Sequence, residues 1–246
     1  MYQPLQFVTV LVPTYNERPN LALLSQRMFQ TLSPAHSELL VVDDNSPDGT
    51  AAAAQALATT YPVRCLVRRG QRGLATAVIA GLREARGELI VVMDADLSHP
   101  SEAIPRLLEA LRDPHVHMAI GSRFIPGGTV DLYWPWYRRL NSYVGRLLAR
   151  PLTPVRDMMS GFFCVRRADL RLDSLRPIGY KIALELIVRH RWRNVVEVPI
   201  TFTERAAGQT KLSVAEQLRY LRHLTRLYAF ALAPARRRPD DRTEHT

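Results

Sequence analysis

Leu89-Ile90-Val91-Val92-Met93-Asp94-Ala95-Asp96-Leu97-Ser98-His99-Pro100 is the stretch around which the chain is organised. Leu89 to Met93 is an unbroken aliphatic run, the pattern of a strand buried on both faces. It leads directly into two carboxylates one residue apart, and Pro100 closes the segment before a helical pattern resumes. Like charges at the end of a buried strand repel, so Asp94 and Asp96 add nothing to stability by themselves. Open α/β sheets collect their ligands at the carboxyl ends of strands. Two hard oxygen donors placed there suit Mg²⁺ or Mn²⁺ bridging to a diphosphate, and the cation would relieve the repulsion. A bare Asp-x-Asp also occurs in loops that merely end a strand with solvated acids, so the neighbouring motifs decide the reading.

On either side of this stretch, strand and helix alternate. Phe7 to Val12 reads as a first strand and Pro13-Thr14-Tyr15-Asn16-Glu17 as the loop leaving it, with Asn20 capping a helix over about 21–32. Glu38 to Val42 is a second strand ending in Asp43-Asp44-Asn45-Ser46. Pro47-Asp48-Gly49-Thr50 then turns into an alanine-rich helix running to about Tyr61. Asp44, Asn45 and Asp48 read equally well as turn-formers and a helix cap. Val63 to Val67 is a third strand, followed by a basic loop, Arg68 to Gly73, and a helix to about Ala85. Beyond the aspartates, Ala119 to Phe124 is a fifth strand and Glu197 to Phe202 a late one. Strands separated by helices of about a dozen residues predict a doubly wound, mostly parallel α/β sheet with helices on both faces. No Gly-x-Gly-x-x-Gly or Gly-x-x-x-x-Gly-Lys-Ser/Thr loop occurs, which argues against a dinucleotide dehydrogenase and a P-loop NTPase.

At 246 residues the chain is long enough for one large domain. Its first residues lack the basic and apolar regions of a signal peptide, and no apolar run reaches the ~18 residues of a membrane span. An intracellular protein is expected. Cys65 and Cys164 sit among apolar residues and read as buried free thiols. Its 33 basic against 23 acidic residues give a net charge of +10, which suits a nucleic acid or an anionic membrane surface. The basic residues are scattered and no nucleic-acid motif occurs, so no nucleic-acid partner is expected.

Val12 to Glu17, Val41 to Thr50 and Met93 to Pro100 together resemble the family-2 glycosyltransferases with the GT-A fold. Within them the likeness is to the dolichol- or polyprenyl-phosphate mannosyltransferase catalytic subunits. It runs from about Val8 to Lys211, with the motifs in the expected order. The resemblance implies an inverting, metal-dependent transfer of mannose from GDP-mannose to dolichyl or polyprenyl monophosphate. By it, Pro13, Tyr15, Glu17, Asp43 and Asp44 would line the nucleoside, since an Asp can accept from the N1–H and NH₂ of guanine. Asp94, Ala95 and Asp96 would address the ribose and the diphosphate, with Mg²⁺ or Mn²⁺ held by Asp94 and Asp96. Ser98 stands where many relatives carry a Gln ligand, and a hydroxyl is the poorer neutral donor. Arg123 belongs to the same nucleotide-sugar set. Arg205-Ala206-Ala207-Gly208-Gln209-Thr210-Lys211 matches the family's Arg-x-x-Gly-x-Ser/Thr-Lys loop. Arg205 and Lys211 would therefore clamp the diphosphate and stabilise charge on the leaving group.

On the acceptor side, Arg138 and Ser142, one helical turn apart, would bind the lipid phosphate together with Arg139. Past Ser142 the chain departs from the family, Tyr143-Val144 replacing small residues. Asp157-Met158-Met159-Ser160-Gly161-Phe162 resembles the acceptor-side Asp-x-x-Ser-Gly-Phe loop. Lys181 and Glu185, at i and i+4, would stand beside it, the plain alternative being a helix ion pair worth about 0.3–0.5 kcal/mol. A phosphomonoester is already ionised at pH 7, so no catalytic base is assigned and Asp157 is expected only to position.

The same fold hosts UDP-sugar enzymes, so transfer of glucose or N-acetylglucosamine to a lipid phosphate or a glycan hydroxyl is the alternative. A hydroxyl acceptor would require a base, and Asp157 is then the first suspect. From Ser213 to about Ala233 the pattern is helical, with Val214, Leu218, Leu221, Leu224 and Leu227 or Tyr228 on one face and Arg219, Arg222 and Arg226 flanking it. Residues 1–212 are thus read as the catalytic domain, 213–233 as a basic helix that packs on it or lies on anionic lipid, and 234–246 as a disordered tail. Trp134, Trp136 and Tyr137 suit a membrane interface. The expectation is a cytoplasmic enzyme held peripherally on an anionic membrane, with a small membrane subunit as a partner.

Overall fold

The structure, a computed structural model, describes residues 6–130, 136–203 and 214–233, apart from the side chains of Tyr137, Arg138 and Val214. Four strands, β1 (Val8–Thr14), β2 (Ser37–Asp43), β3 (Val63–Val67) and β4 (Leu89–Val92), lie parallel, β1 pairing with both β2 and β4. β5 (Met118–Ser122) and β8 (Val195–Pro199) are parallel to each other, while β7 (Phe163–Arg166) sits antiparallel between β4 and β5. The seven strands form one sheet in the order β3-β2-β1-β4-β7-β5-β8. Two short strands, β6 (Thr129–Val130) and β9 (Thr201–Phe202), pair beside it.

Side chains alternate across a strand, and the core divides accordingly. Leu40 and Val42 meet a layer built by α3 (Leu74–Glu84), α6 (Ile182–Arg189) and α7 (Val214–Leu232). Leu39 and Val41 meet the opposite layer, built by α1 (Arg18–Thr31), α2 (Thr50–Leu57) and α4 (Ile104–Ala110). Every residue of β1, β2 and β4 is buried, which explains their unbroken apolar runs. Each fully buried Val or Leu stabilises by about 1.5–3 kcal/mol, so this double layer is the main source of stability. The expected doubly wound, mostly parallel sheet is present. Its strand order reverses between β1 and β4, and at that crevice the loops after both strands meet.

Several local expectations shift. α1 starts at Arg18 with Pro19 in its first turn, so Asn20 lies inside the helix and donates to Glu17 Oε2 (2.8 Å) instead of capping it. α2 ends at Leu57. The late strand breaks at Ile200 into β8 and β9, and β7 was not foreseen. α7 is helical as expected, but its apolar face is divided. Leu224 and Leu227 are buried with His223, whereas Leu218 and Leu221 are exposed, 62% and 46%. α5 (Trp136–Ala149) lies alongside, since the Tyr220 and Tyr228 hydroxyls donate to the carbonyls of Gly145 (2.7 Å) and Leu148 (2.6 Å). Among the described residues no helix is long and apolar enough to cross a membrane. Cys65 and Cys164 are free thiols, Cys164 fully buried and Cys65 partly so. The tail 234–246 lies outside the described residues.

Candidate active site

The loop after β1 is sewn to the loop after β2. Asn16 N donates to Ser46 Oγ, Glu17 N to Thr50 Oγ1 and Arg18 N to Asp48 Oδ2. Asp48 also accepts from Thr50 N and Oγ1, so it is the turn-former at the start of α2. Burial alone would raise its pKa, yet the hydrogen bonds from Thr50 and Arg18 hold it below the usual carboxylate range. Pro13 is buried at the end of β1, and Tyr15 and Glu17 are half-buried at the crevice.

The next two acids do not face the crevice as open carboxylates. Asp43 is fully buried and accepts from Thr14 Oγ1 and from Ser46 N and Oγ. Asp44 is buried as well, bound by Arg68 Nε (2.7 Å) and Gly73 N (2.8 Å). Both therefore brace the nucleotide-side loops through these hydrogen bonds. One consequence escaped the sequence reading: the pinned loop after β3 lays the Arg72 guanidinium 4.4 Å over the Tyr15 ring. The run of arginines there was its only signal.

At the end of β4, Asp94 keeps 28% of its side chain exposed, while Ala95 and Asp96 are buried. Asp96 Oδ1 accepts from Ser98 N and Oγ, and Ser98 is wholly buried. The Ser98 hydroxyl is thus turned onto Asp96. Leu97 between them has φ of +64°, a conformation costing a bulky residue roughly 1–3 kcal/mol and found where a site over-determines the backbone. His99, to which no role was assigned, is the missed residue. It stacks on Phe162, and its Nδ1 accepts the Asp94 amide (3.1 Å), leaving Nε2 4.0 Å from Asp94 Oδ2. Burial lowers its pKa against the pull of Asp94 and Asp96, which favours a neutral ring that acts as a backbone clamp.

The loop before β7 closes the crevice from the other side. A Cβ on Gly161 would lie 3.4 Å from Asp94 Oδ1, in ordinary van der Waals contact, so this backbone runs directly beside the carboxylate. Asp157, fully buried, takes both Nε and Nη2 of Arg123 in a fork at 2.8 Å and also the Arg123 amide. The amides of Arg156 and Asp157 in turn donate to Glu197. Lys181, at the start of α6, is half-buried, and burial of its ammonium next to Arg123 pushes the pKa down to about 7 against the pull of Asp157 and Asp94.

Glu185 does not pair with Lys181 as the i, i+4 spacing suggested. It is buried and accepts from Arg189 Nε, Arg176 N and His223 Nε2 (2.7 Å). Burial alone would raise its pKa, but the His223 and Arg176 hydrogen bonds hold it low. Ser142 is half-buried and Arg139 exposed on α5, which also carries Arg138. Arg205 and Lys211 lie outside the described residues, as does Trp134.

Asp94 and Asp96 suit a hard divalent cation, because both donors are carboxylates and one is open to the crevice. Among the described residues no group of three or more His, Cys, Asp or Glu gathers as a metal site.

A crevice at the strand-order reversal, walled by a partly exposed Asp94 and a forked Arg123–Asp157 pair, agrees with the GT-A fold the resemblance implied. Residues 9–172 match the family described as glycosyl transferase family 2, and the chain belongs to that family. It is 45% identical over 224 residues to a dolichol-phosphate mannosyltransferase of Pyrococcus furiosus, covering 89% of this chain and 63% of that one. To the dolichol-phosphate mannosyltransferase of Saccharomyces cerevisiae it is 44% identical, with 90% and 87% covered. The chain thus spans less than two thirds of the Pyrococcus protein and most of the yeast one.

Solved structures share the fold. A glucosyl-3-phosphoglycerate synthase from Mycobacterium tuberculosis, in complex with Mn²⁺, UDP and glucosyl-3-phosphoglycerate, superposes with a TM-score of 0.69 at 19% identity, covering 93% of this chain and 81% of that one. A mannosyltransferase from Pyrobaculum calidifontis, in complex with GDP-mannose and Mn²⁺, gives 0.64 at 24% identity, covering 95% and 66%.

Proposed function

We propose that this glycosyltransferase moves mannose from GDP-mannose to a dolichyl or polyprenyl monophosphate in one inverting displacement that depends on Mg²⁺ or Mn²⁺. The observation that carries the reading is Asp157. A hydroxyl acceptor needs a base, and the candidate carboxylate is buried with both oxygens engaged by Arg123. A phosphomonoester attacks as the anion it already is, so Asp157 is left to position Arg123. The relatives at 44–45% identity named for this acceptor support the same choice.

Pro13, Tyr15 and Glu17 line the nucleoside, with Arg72 over Tyr15 as an outer wall. Asp94 and Asp96 hold the cation, aligned by His99 and Ser98 respectively. When bound, the cation supplies Lewis-acid stabilisation of the departing diphosphate. Arg205 and Lys211 share that charge, by resemblance to the family's clamp. Arg138, Arg139 and Ser142 take the acceptor phosphate.

The membrane is the source of this acceptor. Trp136, Leu140, Tyr143 and Leu147 form an apolar stripe along α5 that is 52–75% exposed, and Leu218 and Leu221 of α7 extend it. A peripheral seat on an anionic bilayer, with the +10 charge assisting, brings the lipid phosphate to α5 without a spanning helix. A small membrane subunit could share the same face.

Calorimetric titration of GDP and of UDP, each with and without Mn²⁺, tests the donor. GDP should bind more tightly, and Mn²⁺ should strengthen it in the native protein but not in Asp96→Ala. A preference for UDP would overturn the donor assignment, and unchanged Mn²⁺ dependence in Asp96→Ala would remove Asp96 from the metal site.

A further inference from the structure

Arg146 has no part in the site as drawn from the sequence, yet α5 carries it toward the acceptor side. It follows Ser142 by four residues, as Ser142 follows Arg138, so the three recur on successive turns of one helical face. Its guanidinium lies flat on the Phe124 ring, 3.6 Å from the centroid. Phe124 is the residue after Arg123, whose own guanidinium stands 5.2 Å from the same ring. Arg146 is therefore held rigidly beside the Arg123–Asp157 fork. Asp157 is hydrogen-bonded by Arg123 through Nε, Nη2 and the amide, and Arg146 is not among its donors.

Arg146 Nε is buried and has no hydrogen-bond partner among the described residues. Buried N–H groups of native proteins are paired in the great majority of cases, so an orphaned one on a cation points to an absent acceptor. Burial lowers the pKa of Arg146, as does the repulsion of Arg123, while Asp157 opposes them, and an anion seated there would relieve both. The apolar stripe of α5 flanks this face, so a ligand reaching it from a bilayer would bring an anionic headgroup and leave its chain on Leu147 and Tyr143.

We propose that Arg146 is a further ligand of the acceptor's phosphate, extending the Arg138–Ser142 pair by one turn and facing the phosphate opposite the Arg123 side. The proposal rests on the reading of a lipid-phosphate acceptor. A planar, pre-stacked guanidinium presents its N–H groups in a fixed fork, which matches two oxygens of a phosphate better than an ammonium does.

The test measures the KM for a short-chain polyprenyl phosphate, kcat, and the Kd of GDP with Mn²⁺, in Arg146→Met, Arg146→Lys and Arg138→Met. Met keeps much of the bulk on Phe124 and Lys keeps the charge. Arg146→Met should raise the acceptor KM about tenfold or more, as for a lost charged hydrogen bond, with the Kd of GDP within about twofold. Arg146→Lys should recover part of the loss, which a purely structural role on Phe124 would not predict. An acceptor KM unchanged in Arg146→Met but raised in Arg138→Met would overturn the role of Arg146 alone. If both variants leave it unchanged, the phosphate-acceptor reading fails with it. An equal rise in the Kd of GDP would assign the anion site to the donor diphosphate and also overturn the proposal.

Discussion

Lys181 carries an ammonium within the field of Asp94, Asp157 and Arg123, and burial beside Arg123 brings its pKa to about 7. The sign follows from a base whose folded pKa lies below its ordinary value near 10.5. Below about pH 7 the folded protein carries the charge at a cost; as pH rises toward 10.5 the unfolded chain holds more protons than the folded one, and that cost is lifted. An anionic ligand favours the charged form. At pH 8, binding of GDP with Mn²⁺ should therefore take up a fraction of a proton, read by calorimetry in buffers of different ionisation enthalpy. Lys181→Met should abolish the uptake, and uptake undiminished in that variant would contradict the assignment.

At the same scale, sequence spacing left two roles unread. Lys181 and Glu185 share the i, i+4 interval, but Lys181 stands at the helix cap, and Arg189 one turn on with His223 from α7 satisfies Glu185. His99 was legible only as part of a motif, since its work is a hydrogen bond to a backbone amide that no residue pattern encodes.

α5 and α7 act as a pair at the scale of elements. The apolar arc of α7 is wider than the domain beneath needs: Leu224 and Leu227 fill the core, while Leu218 and Leu221 remain outside with the α5 stripe. Periodicity found the helix but not this division, because a buried His223 occupies a core position that hydrophobicity reserves for a Leu. Replacing Leu140 and Leu147 together by Glu puts two charges into the stripe and should leave the Kd of GDP unchanged. Flotation with anionic liposomes should fall by about tenfold or more, given that each buried Leu contributes about 1.5–3 kcal/mol. Undiminished flotation would remove α5 from the membrane seat.

β7 was illegible for a related reason. Its Phe163-Cys164-Val165-Arg166 run is short, and an antiparallel strand placed between two parallel ones leaves no mark on the βα alternation.

For the molecule as a whole, the four N-terminal strands and the crevice between β1 and β4 were legible because buried parallel strands write continuous apolar runs that end in polar loops. The carboxylates at those ends were legible too, but not their division of labour. Asp43 and Asp44 brace loops, Asp48 starts a helix, and Asp94 is left partly open at the end of β4. That division depends on tertiary hydrogen bonds from distant residues such as Arg68 and Gly73.

The central claim concerns the whole arrangement: that a site whose Asp157 is engaged by Arg123 moves a sugar onto an ionised phosphate. The most direct measurement incubates the protein with GDP-mannose, Mn²⁺ and polyprenyl phosphate in liposomes and determines the anomeric configuration of the lipid product by NMR. The account predicts a mannosyl phosphodiester of configuration opposite to the donor's. A product with retained configuration, or transfer to a hydroxyl acceptor and none to the phosphate, would contradict it.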